Sequence, residues 1–281
     1  MTDTSENINI PEIGFGTYDL QGDDRQIVLG AINSGFRLID TARVYGSEMG
    51  VGYAIREAVD RGIINRSDLF IQTKLAPNMH GYYATLSCFE ESINELQMDY
   101  IDMYLIHWPV SRGNEYDYRE KNIESWQAFS ELKKRGLVKH IGVCNFLERH
   151  LIHLIDSGYG CPEVNQLELH PGYQQIGLVN FCRERDIVIE AWSPLGRGIL
   201  DDTKYNEMAK KYNKNVGQLA LRWSVQNGFI PLTRSSNCSR IKSNIDIFDF
   251  EITQEDIEEI NTLNSNDNYQ KIWSYKRQQM Y

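Results

Sequence analysis

The sequence of 281 residues predicts an α/β fold: a closed (β/α)8 TIM barrel, one domain over residues 1–281, with catalytic residues at the C-terminal ends of the strands. Three observations predict it. Eight short apolar runs recur along the chain, and they are continuous rather than alternating, as in strands covered on both faces. Most are followed by a stretch of helical period, which implies parallel pairing through right-handed crossovers. No Pro/Gly/Ser linker, charge block or low-complexity tract marks a domain boundary. The rival is a doubly wound sheet, which calls for a glycine-rich turn after its first strand. The stretch Gly14-Phe15-Gly16-Thr17-Tyr18-Asp19 lacks the third glycine of GxGxxG.

The elements follow in order. Residues 13–18 read as the first strand. Residues 24–34 read as a helix with Ile27, Val28, Ala31 and Ile32 on one stripe and Gly35 as its stop. Strand 36–41 leads to helix 48–59, which places Val51, Ala54, Ile55 and Ala58 on one face. Strand 69–74 precedes helix 83–96, and strand 101–107 precedes helix 123–132, closed by Gly136. Strands at 140–145, 163–168 and 187–193 follow, then helix 216–225 and strand 229–234. A last helix, 254–263, opens after Thr253, which with Asp256 resembles a capping box.

Composition narrows the function. Hydrophobic residues make up 41% and charged residues 24%, enough for a large core. A net charge of −10 argues against nucleic acid as a partner. Five cysteines, an odd number with no CxxC pair, argue against a disulfide framework or a thiolate zinc site. Residues 1–6 carry no basic or apolar targeting segment, and no apolar run approaches the ~18 residues of a membrane span. A cytoplasmic location, no membrane contact and a monomer or weak dimer are expected.

In such a barrel the chemistry sits where the strands end. Those ends carry Asp40, Lys74, His107, Asn145, Gln166, Trp192 and Arg234. Singly, Asp40 reads as a helix cap, Lys74 as a solvated loop lysine and His107 as a packed histidine. Together they form too costly a polar layer to be only structural. His150 and His153, beside Glu148, form HxxH but lack further ligands, so they read as helix-surface residues, and no metal is expected.

These residues lie in recognisable strings. Asp40-Thr41-Ala42-Arg43-Val44-Tyr45-Gly46-Ser47-Glu48 resembles the DTAxxYGxE signature of the aldo-keto reductase superfamily. Thr73-Lys74 resembles its TK motif and His107-Trp108-Pro109 its HWP motif. Gly142-Val143-Cys144-Asn145-Phe146, Asn165-Gln166 and Trp192-Ser193-Pro194-Leu195-Gly196 resemble its later cofactor motifs, in the same order.

The resemblance implies a catalytic tetrad of Asp40, Tyr45, Lys74 and His107. Hydride arriving at a carbonyl carbon builds charge on oxygen that must be stabilised and protonated. Tyr45 would supply the proton, Lys74 would lower its pKa, Asp40 would keep Lys74 charged, and His107 would aim the carbonyl. The resemblance implies NADPH (NADP+) as cofactor, held by Thr17, Asp40, Cys144, Asn145, Gln166, Ser193 and Leu195, with Trp192 stacked on the nicotinamide. Cys144 stands where serine is usual and Trp192 where tyrosine is usual. Ile230-Pro231-Leu232-Thr233-Arg234-Ser235 resembles the IPKS run, which puts Arg234, Ser235 and Arg240 on the 2′-phosphate and Asn244 on adenine. Ser243 replaces a common glutamate.

The substrate would be a small carbonyl compound lying among Tyr18, Tyr45, His107 and Trp108, with Trp273, Tyr275 and the loop at 112–118 as further lining. Only a brief segment follows Gly196-Arg197-Gly198, so little chain would clamp the pyrophosphate. The expected reaction is NADPH-dependent reduction of aldehydes and ketones. Two other readings stand beside it: an NADPH-binding regulatory or sensor protein with little turnover, and a metal-dependent barrel hydrolase, for which Asp40 and His107 beside a lysine are a poor ligand set.

Overall fold

Gly14 is where the barrel closes: a Cβ there would come within 2.5 Å of the Leu232 side chain and 2.7 Å of the Leu38 side chain, so glycine leaves room for these two leucines inside the barrel. The structure is a computed structural model that describes residues 8–110, 116–196 and 203–264. The eight strands are β1 Gly14–Gly16, β2 Leu38–Asp40, β3 Phe70–Leu75, β4 Ile101–Ile106, β5 Val138–Cys144, β6 Val164–Glu168, β7 Val188–Trp192 and β8 Ile230–Thr233. They pair in parallel in chain order and close, β8 against β1. The expected barrel is the observed one.

Around the strands run α1 Asp24–Asn33, α2 Glu48–Asp60, α3 Tyr82–Leu96, α4 Tyr118–Lys134, α5 Glu148–Asp156, α6 Ile176–Arg183, α7 Thr203–Lys211, α8 Val216–Gln226, α9 Cys238–Ile245 and α10 Gln254–Asn261. Local chemistry starts several of them. The side chain of Asp23 accepts from two backbone N–H groups of α1, and Asn215 with Gln218 makes a reciprocal capping box on α8. Thr253 caps α10 by accepting from the Asp256 N–H, but the Asp256 carboxylate turns to Lys211 and Tyr212, so the expected capping box is only half made. The short helices α6 and α7 were not foreseen, since each offers only two turns of period.

The core has two layers. Leu38, Phe70, Met103, Leu105, Val164 and Leu232 fill the barrel interior. A larger cluster lies between strands and helices, with Trp126, Trp223, Phe36 and Phe129 fully buried. Burying an aromatic or aliphatic side chain contributes about 1.5–3 kcal/mol, so this layer dominates stability. Gly52 lets α2 approach the end of α3, because a Cβ there would meet the Leu96 carbonyl oxygen at 2.3 Å. The inner apolar cluster gives way to polar side chains toward the strands' C-terminal ends.

Candidate active site

β2 ends at Asp40, and the chain turns through a short 3-10 segment, Arg43–Tyr45, before α2 begins. Gly46 ends that turn in the left-handed region at φ 71°, which glycine adopts without strain. Hydroxyls hold the turn down: Ser47 bonds Thr17 at 2.9 Å and Thr41 at 3.0 Å. Glu48, fully buried, accepts from Thr73 Oγ1 at 2.6 Å and pairs with Arg43 at 3.5 Å. The loop bearing Tyr45 is therefore tied to β3 at the residue before Lys74.

Lys74 is fully buried. Its Nζ donates to Asp40 Oδ1 at 2.5 Å, to the Thr41 carbonyl at 3.0 Å and to Tyr45 Oη at 3.4 Å. Burial opposes the ammonium, but Asp40 outweighs it and the lysine pKa is raised, so Lys74 stays charged. For Tyr45 the Lys74 charge acts in the expected direction but does not decide the outcome. Burial of the phenol raises its pKa by more than the Lys74 charge lowers it, and Asp40 adds to the rise. A half-buried phenol in a low-dielectric wall holds its proton firmly, whatever cation stands beside it.

Just past β4, His107 is buried and sets its ring edge-on to Tyr45 at 5.6 Å. Tyr18, half exposed, also packs edge-on to Tyr45 at 5.1 Å, and buried Trp108 stacks on His107 at 6.5 Å. All four tetrad residues and the two further lining aromatics, Tyr18 and Trp108, thus meet at one mouth. Trp273, Tyr275, Arg112 and the Arg197-Gly198 segment lie outside the described residues.

The expected cofactor residues are also here, several of them engaged with one another. Asn145, in the left-handed region at φ 65°, donates to the His107 carbonyl at 3.0 Å and to Cys144 Sγ at 3.1 Å, and accepts from the Trp192 indole at 3.0 Å. Gln166 spends both amide hydrogens inward and keeps its Oε1 beside the Cys144 thiol at 3.6 Å. Burial raises the Cys144 pKa, so this thiol is a packing group and not a nucleophile. Thr17 is buried on Ser47, Ser193 is half-buried at φ 50°, and Leu195 packs partly into the outer core.

Arg234 follows β8, donates to the Asp19 carbonyl at 2.7 Å and pairs with its carboxylate at 3.5 Å. Ser235 accepts from the Asn237 N–H, and Asn244 donates to Thr233 Oγ1 at 2.8 Å. Arg240 is exposed on the first turn of α9, and its guanidinium has no ion pair among the described residues. The donor set suits a dinucleotide phosphate: one unpaired guanidinium, a second held only by surface Asp19, and a helix start beside them. The flat, half-buried Trp192 ring and the spare lone pair of Gln166 Oε1 suit a carboxamide-bearing aromatic ring.

Two residues of this site escaped the sequence reading. Gln72 and Glu190, both buried, bridge to Asp40 and Gln166 beneath the tetrad. Glu190 carried a signal, as the one polar residue in Val188-Ile189-Glu190-Ala191, whereas Gln72 merely opens the polar run Gln72-Thr73-Lys74. His150 is a further correction. It is buried, accepts from the Leu147 N–H through Nδ1, and its pKa falls to about 3, chiefly through burial. It is an interior cap, not a helix-surface residue. Among the described residues no cluster of His, Cys, Asp and Glu could hold a metal, and no helix is long and apolar enough to cross a membrane.

Comparison with known proteins places this geometry. The model of a family described as the Aldo/keto reductase family matches residues 12–265. The uncharacterized oxidoreductase YtbE of Bacillus subtilis is 42% identical over 262 residues, covering 92% of this chain and 91% of that protein. The glyoxal reductase of the same bacterium is 39% identical over 263 residues, covering 92% and 91%. The crystal structure of the Bombyx mori aldo-keto reductase AKR2E4 in complex with NADP superposes with a TM-score of 0.86 at 34% identity, covering 96% of each chain.

Proposed function

The chain belongs to the aldo/keto reductase family, and on that premise we propose that it reduces aldehydes and ketones to alcohols with NADPH, Tyr45 acting as general acid. The observation that carries this is the buried Lys74 ammonium, clamped by Asp40 at 2.5 Å and by the Thr41 carbonyl, with Tyr45 Oη at 3.4 Å. NADPH supplies the hydride. Arg240, Arg234 and Ser235 would hold its 2′-phosphate, Asn244 its adenine, Gln166 Oε1 its carboxamide, and Trp192 would stack on the ring.

The chain's own part is proton supply and charge placement. The raised pKa of Tyr45 keeps the phenol protonated at neutral pH, so a proton is always available. Once it has left, the phenolate faces Lys74 Nζ, and a positive charge in a dry site stabilises it far more than water would. Asp40 keeps that charge in place. His107, edge-on to Tyr45 at 5.6 Å, would bond the same carbonyl oxygen and fix its approach.

Relatives bearing the names glyoxal reductase and aldo-keto reductase support small carbonyl compounds as the substrate class. NADP in the Bombyx mori complex supports the cofactor. The test is NADPH oxidation with methylglyoxal or 4-nitrobenzaldehyde in the presence of chelator. Tyr45→Phe should lower kcat by about 10²–10⁴, the usual size of general-acid catalysis, with NADPH affinity within about threefold. NADPH binding without turnover by the wild type would instead identify a sensor.

A further inference from the structure

Beneath the tetrad lies a polar layer that the proposed reaction does not use directly. The Gln72 amide donates to Asp40 Oδ1 at 2.8 Å and to Glu190 Oε2 at 2.8 Å. The Gln166 amide donates to the same two oxygens at 3.1 and 2.7 Å. An NH2 group has two hydrogens, so both are committed in each residue and both amides are fixed in orientation. Asp40 Oδ1 thus receives two amides and the Lys74 ammonium, while Glu190 receives the other half of each amide.

Glu190 is fully buried and forms no ion pair with a cation among the described residues. Asp40 and Lys74 cancel, so an ionised Glu190 would leave one uncompensated negative charge in the interior, a costly arrangement. Two acceptors are left over there: Glu190 Oε1 and Gln72 Oε1 are both buried with no hydrogen-bond partner. A proton on Glu190 turns one of these orphans into a donor. The charged or titratable groups that reach Glu190 are Asp40 on β2, Lys74 on β3 and Cys144 on β5. Burial and then the Asp40 charge push its carboxyl up to about 7, against the pull of Gln166, Gln72 and Lys74.

Resting on the reductase reading, we propose that Glu190 is a positioning residue that acts through Gln72 and Gln166 on Asp40. Protonated, it lets both amides hold Asp40 on Lys74 and leaves the ammonium's charge to the Tyr45 phenol. Ionised, it draws on that same charge and slows proton delivery. Turnover therefore falls as pH rises through the titration of Glu190.

Two measurements on the full chain test this. In the first, the apo protein carrying 13C-labelled glutamate carboxyls is titrated by NMR. One carboxyl should titrate near pH 7 and vanish in Glu190→Gln; a Glu190 ionised throughout pH 5–8 overturns the proposal whatever the activity. In the second, kcat and KM for 4-nitrobenzaldehyde are followed at saturating NADPH. Wild-type kcat should fall roughly three- to tenfold between pH 6 and pH 8, and Glu190→Gln should hold the pH 6 value with KM unchanged. The same fall in Glu190→Gln overturns the coupling.

If Glu190→Gln does not fold, Gln72→Met decides. It removes a donor that favours the ionised carboxylate, so the midpoint of both profiles should move to higher pH; an unmoved midpoint overturns the proposal. Absence of turnover by the wild type with every carbonyl tried overturns the reductase reading, and with it the coupling to rate. A titrating Glu190 beside a rate that ignores it overturns the coupling alone.

Discussion

The two ends of the barrel each hold a buried aspartate against cations, and they use the arrangement differently. At the N-terminal end Asp102, on β4, accepts from Arg66 at 2.8 Å, Lys139 at 2.9 Å and the Ile71 N–H at 2.9 Å. Both cations reach solvent along their stems, and both lie over the Tyr100 ring at 4.3 Å. At the C-terminal end Asp40 meets a lysine with no exposed surface, whose third contact is a phenol. The lower cluster is a clamp with replaceable parts. The upper one holds a buried ammonium that water cannot reach, paired with Asp40 and set 3.4 Å from a phenol. The lesson is that burial of the cation, rather than the ion pair itself, separates chemistry from bracing.

The sharpest way to break the comparison is to remove a partner at each end. Lys74→Met leaves Asp40 buried without its counter-ion and should cost about 3–5 kcal/mol in urea unfolding, together with nearly all turnover. Asp102→Asn keeps the shape and should cost about 1–3 kcal/mol while kcat stays within about twofold. Equal losses of rate from the two would erase the distinction. At the mouth but away from the tetrad, Arg240→Ala should weaken NADPH by about tenfold and NADH hardly at all, read by fluorescence titration.

Acid should separate the two ends more gently. His80, His150 and His170 all lie in loops or first turns at the mouth end, buried, with pKa values lowered chiefly by burial to about 4, 3 and 4. Unfolded, each binds a proton near pH 6.5. The unfolded chain therefore takes up more protons between pH 6.5 and 4, and stability must fall as pH drops through that window. Glu190 runs the other way, since its raised pKa favours the folded state in acid. Among the most strongly shifted groups three histidines oppose Glu190, so Tm should decline from pH 6.5 to pH 5. His150→Gln should flatten that decline, and a level Tm would contradict it.

Much of this was legible beforehand. The eight strands could be read because a strand covered on both faces needs a continuous apolar run, and the run survives in one dimension. Asp40, Lys74 and His107 could be read because each lies at or just past a strand end, where a polar residue interrupts such a run, while Tyr45 was read from the resemblance of its motif. Helices α6 and α7 were lost because two turns of period are weak against the composition of a loop. His150 misled because HxxH spacing says nothing about which side of a helix faces the protein.

From the sequence alone came the parallel barrel, carried by local pattern and spacing, and the expected reactive side chains, carried by the motif resemblance. The tertiary structure alone decided what surrounds them. Gln72 stands beside Asp40 through the β2–β3 register, but it meets Glu190, 118 positions away, only because the closed sheet brings β7 across from β3. The direction of the Tyr45 pKa was decided there too. Sequence supplies the neighbouring charge of Lys74, but the desolvation that outweighs it is a property of the folded wall around the phenol.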